Sequence, residues 1–245
     1  MKAVHLGRWT ATMIVLFGVS NVAGAANPAL RKDALETMAR ATRFFRSEVA
    51  THGGYLWKYS LDLKQREGEG KATASQIWVQ PPGTPAVGMV FLHAYEATGD
   101  KSYLAAARDA AMALVRGQLE SGGWDYKIEF DEAHSKGWYY RRDRQAGNTA
   151  SGKRRNVTTF DDNASQSALS LLMQVDKACD FKDKEIRNAV DYALASFLKV
   201  QYPNGAWPQR YSTPVDPAQF PVCKARYPKS WSRTYPKVSY GGFYT

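Results

Sequence analysis

The chain has 245 residues, with 33 Lys+Arg against 23 Asp+Glu and a formal net charge of +10. A hydrophobic content of 44% with 13% aromatic residues excludes a largely disordered chain, and the length fits one domain. The basic surplus points to an acidic partner without separating nucleic acid, anionic polysaccharide and anionic membrane.

At the N-terminus Lys2, His5 and Arg8 precede an apolar stretch from Trp9 to Val22, which ends at Ala23-Gly24-Ala25. A basic head, a short apolar centre and an Ala-x-Ala end predict a secretory signal peptide over residues 1–25, cleaved before Ala26. The apolar run is shorter than the roughly 20 residues a membrane span needs. Residues 26–245 are therefore expected as one secreted or periplasmic domain, a monomer without a membrane anchor. Export argues against nucleic acid as partner and favours an acidic extracellular polymer.

Helices follow. Arg31 to Tyr55 is the faintest of three similar stretches and ends in His52-Gly53-Gly54-Tyr55. A helix is predicted from about Pro85 to Thr98, where Val87, Val90, Phe91, Ala94 and Tyr95 share a face. Asp100 to Trp124 then aligns without gaps onto Asp183 to Trp207, with Asp, Lys, two Ala, Gln, Gly and Trp identical at matching positions. Ile186, Ala189, Val190, Ala193, Leu194, Phe197 and Leu198 recur at helical spacing, and a further helix is predicted from Asn163 to Ala178. Short connections make these helices antiparallel hairpins, and no period-2 strand pattern stands out. Repetition at a large period signals an array of such units. The expected fold is all-α: helical hairpin repeats with long loops and a Pro- and aromatic-rich C-terminal segment.

Function is expected in the loops. Asp125 to Thr159 carries Lys136, Arg141, Arg142, Arg144, Lys153, Arg154 and Arg155 from residue 136 onward, against Asp143 alone. Such a run is often only a solvated loop, although Arg suits bidentate recognition of carboxylate. The tail after Tyr202 holds seven of the eleven Pro. Cys179 and Cys223, the only cysteines, leave one disulfide open and form no metal site. The four His are scattered.

Two motifs carry chemistry. Thr158-Thr159-Phe160-Asp161-Asp162-Asn163-Ala164-Ser165-Gln166 opens a helix. Helix capping explains one of its acids; three adjacent oxygen-bearing side chains also suit a hard cation such as calcium. Gln201-Tyr202-Pro203-Asn204-Gly205-Ala206-Trp207-Pro208-Gln209-Arg210-Tyr211 reads either as a helix C-cap turn with a packed Trp207 or as part of a ligand cleft. Gln209, Arg210 and Tyr211 are the harder residues to explain by burial.

Taken together, these motifs resemble the family 10 polysaccharide lyases, exported pectate lyases with an (α/α) toroid fold, from about Leu35 onward. The resemblance implies cleavage of polygalacturonate by β-elimination, with calcium bridging enzyme and substrate carboxylate. It implies Asp161 as the acid at the active centre and a calcium ligand, with Asp162 beside it, and Arg210 in the substrate cleft. The residues thus expected are Asp161 and Arg210 as catalytic, Asp161 and Asp162 as calcium ligands, and, from the basic loop and the second motif, Arg154, Arg155, Trp207 and Gln209 as substrate-binding. The family also keeps a second Asp-containing helix start and an Arg base beyond a segment like Lys237 to Thr245, so the domain is expected to be incomplete at its C-terminus. Three other readings stay open. One is a non-catalytic binder of acidic polysaccharide. Another is a toroid glycoside hydrolase pairing Asp161 with Asp125, Glu129, Asp131 or Glu132. The third is a terpenoid cyclase, which the repeated Gln-x-x-x-Gly-x-Trp pattern resembles, though the Asp-x-Asp-Asp motif is missing.

Overall fold

The structure, a computed structural model, describes residues 27–147, 155–214, 216, 218 and 228–230. The expected signal segment, Arg154, the Cys179–Cys223 pairing and most of the aromatic tail lie outside these residues. Contacts divide the chain after Arg43. Helix α1, Pro28–Phe44, occupies the first unit up to its last residue, with a Lys32–Glu36 pair at i,i+4 on its surface.

The second unit opens with a π-helical turn, Phe45–Val49, and is built on two helical hairpins. The first joins α2 (Thr84–Thr98) to α3 (Lys101–Gly117); the second joins α6 (Ala164–Ala178) to α7 (Lys184–Lys199). Both second helices start at the expected aspartate. Asp100 accepts from Ser102 N–H at 2.8 Å, and Asp183 accepts from Glu185 N–H at 3.1 Å and Ile186 N–H at 3.3 Å. These side chains satisfy backbone donors that the first turn leaves unpaired. The second oxygen of Asp183 takes Arg108 Nε of α3 at 2.7 Å, tying one hairpin to the other.

Helix α3 presents Ala106, Ala107, Ala110, Ala111 and Ala113 to the core, all fully buried. Small side chains let helices approach closely. Gly88 of α2 shows the limit, because a Cβ there would fall on Leu171 of α6 and crowd Ala110 of α3. Leu114, Leu171, Leu172, Val175 and Ile186 fill the remaining interior.

The fold is mostly helical, and it departs from the expected all-α pattern in one respect. Three antiparallel two-stranded ladders are present: β1 (Lys58–Tyr59) with β2 (Arg66–Glu67), β3 (Gln76–Trp78) with β4 (Lys127–Glu129), and β5 (Thr158–Thr159) with β6 (Arg210–Tyr211). At two or three residues each, they are too short to carry a readable alternation. The long loop after Trp124 is likewise structured, containing β4, the short helices α4 (Glu132–Ser135) and α5 (Arg141–Gln145), and β5. No helix among the described residues is long and apolar enough to cross a membrane.

The repeat is visible in detail. Trp124 Nε1 donates to the Leu114 carbonyl at 2.8 Å and Trp207 Nε1 to the Phe197 carbonyl at 3.0 Å, both ten residues back. Gln118 and Gln201 each donate to the carbonyl four residues ahead, at 3.0 and 2.9 Å. Gly122 and Gly205 both have positive φ, +110° and +86°, a conformation that favours glycine. Gly53 in the faint first copy has φ +89°.

Candidate active site

Two remote segments are clamped together by hydroxyls from the first motif. Thr158 Oγ1 accepts from Gly123 N–H at 2.9 Å and lies 2.8 Å from Ser121 Oγ. Ser165 Oγ accepts from Trp124 N–H at 3.0 Å, and Thr159 N–H donates to the Trp124 carbonyl at 2.9 Å. Gly123 permits this approach, since a Cβ there would collide with Thr158. The clamp carries Tyr126 to the start of α6.

Between β5 and α6, Asp161–Asn163 forms a 3-10 turn in which Asp162 (φ 49°) and Asn163 (φ 59°) are left-handed. Two successive non-glycine residues in this region cost on the order of 1 kcal/mol each. Capping does not explain them: Asn163 stands at the N-cap of α6 without a side-chain cap bond. The acids turn elsewhere. Asp161 Oδ2 accepts from the Tyr126 hydroxyl at 2.8 Å and from Arg210 of β6 at 3.2 Å, while Arg210 also donates to the Tyr126 oxygen at 2.7 Å. Asp162 Oδ2 accepts from Gln80 Nε2 at 3.0 Å.

The electrostatics follow from this trio. The Tyr126 hydroxyl, then the Gln209 side chain and Arg210, hold the Asp161 carboxyl below the usual carboxylate range. Burial, then the bond to Asp161, pushes the Tyr126 hydroxyl up. The hydrogen bond to Tyr126 raises Arg210 further above neutrality. At neutral pH, Asp161 is an anion, and Arg210 and Tyr126 keep their protons. The cluster can bind an anion through Arg210, whose side chain is 48% exposed, and can donate protons. Neither donor is poised as a base.

Calcium takes six to eight oxygens. Asp161 and Asp162 supply adjacent carboxylates of suitable chemistry, but one oxygen of Asp161 already carries Arg210 and Tyr126. Among the described residues no group of three or more His, Cys, Asp or Glu gathers. The two aspartates are of the donor type calcium takes but do not by themselves make a complete ligand set.

The other expected residues fall as follows. Gln209 is in the cluster, with its carbonyl accepting from Phe160 N–H at 2.8 Å. Trp207 is 47% exposed, its indole N–H bonded to α7 as in the repeat. Arg155 closes on Asp125, a buried carboxylate, with Nε at 3.0 Å, so the structure engages it in an internal ion pair. Asp125 also accepts from Trp138 Nε1 at 3.0 Å and from Tyr126 N–H at 2.9 Å. Tyr126 and Gln80 were not expected from the sequence, because neither sits in a motif. They reach the site through the β3–β4 ladder, whose end is continued by Val79 N–H donating to the Tyr126 carbonyl at 2.7 Å.

Of the acids proposed as hydrolase partners, Glu129 is buried and bonded to Gln76 Nε2 and Asp131 N–H, both at 2.9 Å. Burial pushes its carboxyl up, but bonds from Ser75, Asp131, Gln76 and Phe130 outweigh that and leave it below the ordinary value. A glycosidase general acid needs the opposite shift.

Comparison with known proteins places the cluster in context. The family model for pectic acid lyases matches residues 129–219, so the resemblance drawn from the two motifs is borne out over that span. Two solved structures are similar to the chain. One is a family 10 polysaccharide lyase from Cellvibrio cellulosa, at 20% identity and a TM-score of 0.46, covering 76% of this chain and 55% of that one. The other is a mutant of that lyase in complex with trigalacturonic acid, at 19% identity and a TM-score of 0.43, covering 75% and 55%. The chain thus spans about half the length of each. Among curated proteins none matches at a significant level.

Proposed function

We propose that this chain, which carries the pectic acid lyase pattern over residues 129–219, is an exported lyase that cleaves polygalacturonate by β-elimination. The reading extends to calcium as cofactor and to the helical hairpins as part of an (α/α) toroid. The observation that carries it is convergence: the two motifs, far apart in sequence, meet as β5 and β6 and set Arg210 on Asp161.

In β-elimination the proton at C5 of a uronate is lost, the C4–O bond opens and the departing oxygen is protonated. The C5 proton is α to a carboxylate, so the barrier falls when charge developing there is stabilised. Arg210 is suited to hold the uronate carboxylate, and Asp161 fixes the direction of its guanidinium. Tyr126 keeps its proton at neutral pH and is suited to donate it to the departing oxygen. The C5 proton passes to a base outside this trio. Calcium, when bound, supplies further stabilisation of that charge; Asp161 and Asp162 would hold it together with the substrate carboxylate.

A non-catalytic polyuronate binder is the second reading, and one observation favours it: Arg210 and Tyr126 are placed as hydrogen-bond donors to Asp161, an arrangement suited to holding an anion. One experiment separates the two. Elimination creates an unsaturated uronide that absorbs ultraviolet light, and hydrolysis does not. Polygalacturonate incubated with the purified chain should gain absorbance with calcium and lose that gain with chelator. A flat trace from folded protein that still binds a polygalacturonate gel would replace the lyase by the binder.

A further inference from the structure

Around the Asp161 cluster the neighbouring arginines each rest on a carboxylate of the chain while keeping about half of their side chains exposed. Arg210 rests on Asp161 and Tyr126, and Arg155 on Asp125. Lys127, the residue after Tyr126, differs. It is half-buried, its Nζ lies 5.9 Å from the centre of the Trp78 ring, and it forms no ion pair among the described residues. A cation held over an indole gains from the ring face, and this one remains available to an anion. A carboxylate arriving from outside would find an ammonium with no ion-pair partner among the described residues.

The surroundings continue from Lys127 to the acids. Cross-strand register pairs Lys127 with Trp78, and Gln80 follows in the bend just past β3. Trp78 Nε1 donates to Gln80 Oε1 at 3.2 Å, and Gln80 Nε2 donates to Asp162 at 3.0 Å. Trp57 Nε1 donates to the Gln80 carbonyl at 2.8 Å, and its ring stands edge-to-face on Trp78 at 6.0 Å. Gly68 backs this arrangement, since a Cβ there would enter the Trp78 indole. The result is a track from Asp162 across Gln80 to two indoles, with the Lys127 ammonium at its far end.

We propose that Lys127, with Trp57 and Gln80 beside it, forms a second carboxylate subsite, taking the uronate next to the one at Asp161. A polyuronate presents one carboxylate per ring, so a chain held at Arg210 needs a further cation along its path. Lys127 meets that need, and the half-buried Trp57 offers an apolar face to the sugar. The assignment rests on the polyuronate reading above, and its test separates the two.

The full chain is compared with K127M and K127R on polygalacturonate and on a highly methyl-esterified pectin. K127M should raise KM for polygalacturonate roughly fivefold, the size expected of one solvent-accessible ion pair, with kcat within about twofold. K127R should restore most of the loss, and on the esterified polymer K127M should match the parent. An unchanged KM, or an equal loss on both polymers, would overturn the subsite. If the parent chain shows no turnover, retention on a polygalacturonate gel replaces KM as readout. Earlier elution of K127M then supports the subsite, and identical elution overturns it. A parent chain with neither turnover nor retention would sink the polyuronate reading itself, and the subsite with it.

Discussion

Tyr126 is the residue on which the acid and the cation of the site both depend, because its oxygen donates to Asp161 and accepts from Arg210. Removing that hydroxyl leaves the two charges in contact but unaligned. Tyr126→Phe should therefore lower the rate on polygalacturonate by about 10- to 100-fold, the scale of one hydrogen bond to a charged group; initial rates alongside an unchanged helical circular dichroism spectrum check it. Glu129 supplies the pH-sensitive counterpart away from the site. Its folded-state value is depressed, so the stabilisation it gives is present above its unfolded value and fades as pH falls through the folded one. Gln76→Leu removes one of the bonds that hold the anion. The acid unfolding midpoint of that variant should move to higher pH, as read by fluorescence on acid titration. Tyr126 and Gln80 also mark the limit of legibility at this scale. Asp161, Asp162 and Arg210 stand in motifs whose residue types announce chemistry, whereas Tyr126 and Gln80 are drawn in by backbone pairing between segments that look unremarkable in sequence.

The hairpins show how much a repeat can reveal. Helical spacing located α2, α3, α6 and α7 because each buries an apolar stripe, and Asp100 and Asp183 mark the starts of α3 and α7 as side-chain caps. The same alignment equates Gln118 with Gln201, and the structure shows that position separates their roles. Gln118 is 1% exposed and donates to the Ala189 carbonyl of α7 at 2.9 Å as well as to Gly122, while accepting from Arg141 at 3.0 Å. Gln201 makes only the local turn bond to Gly205 among the described residues. Gln118→Ala should cost about 2–4 kcal/mol, since it orphans buried carbonyls. Gln201→Ala should stay within about 0.5 kcal/mol. Denaturant melts of the two variants test the difference. The short ladders were invisible for the opposite reason. A strand of two residues has no period, and its pairing is decided by what the hairpins bring alongside.

At the scale of the molecule, the mostly helical architecture was legible and the assembly of the site was not. The basic loop read as a candidate binding surface, and the fold adds that Arg155, half exposed, is anchored on the buried Asp125. The site itself spans the chain: Gln80 and Asp162 are 82 positions apart, Tyr126 and Arg210 84. What joins its last piece is the β5–β6 ladder, two residues on each side. So short a ladder holds little of the total stability, and segments of that kind open locally at a lower free energy than the helical core. The pairing that sets Arg210 on Asp161 is therefore expected to open under mild stress before the helices do. A population that is still fully helical can already have lost that contact, so helix content is a poor gauge of whether the cluster is assembled.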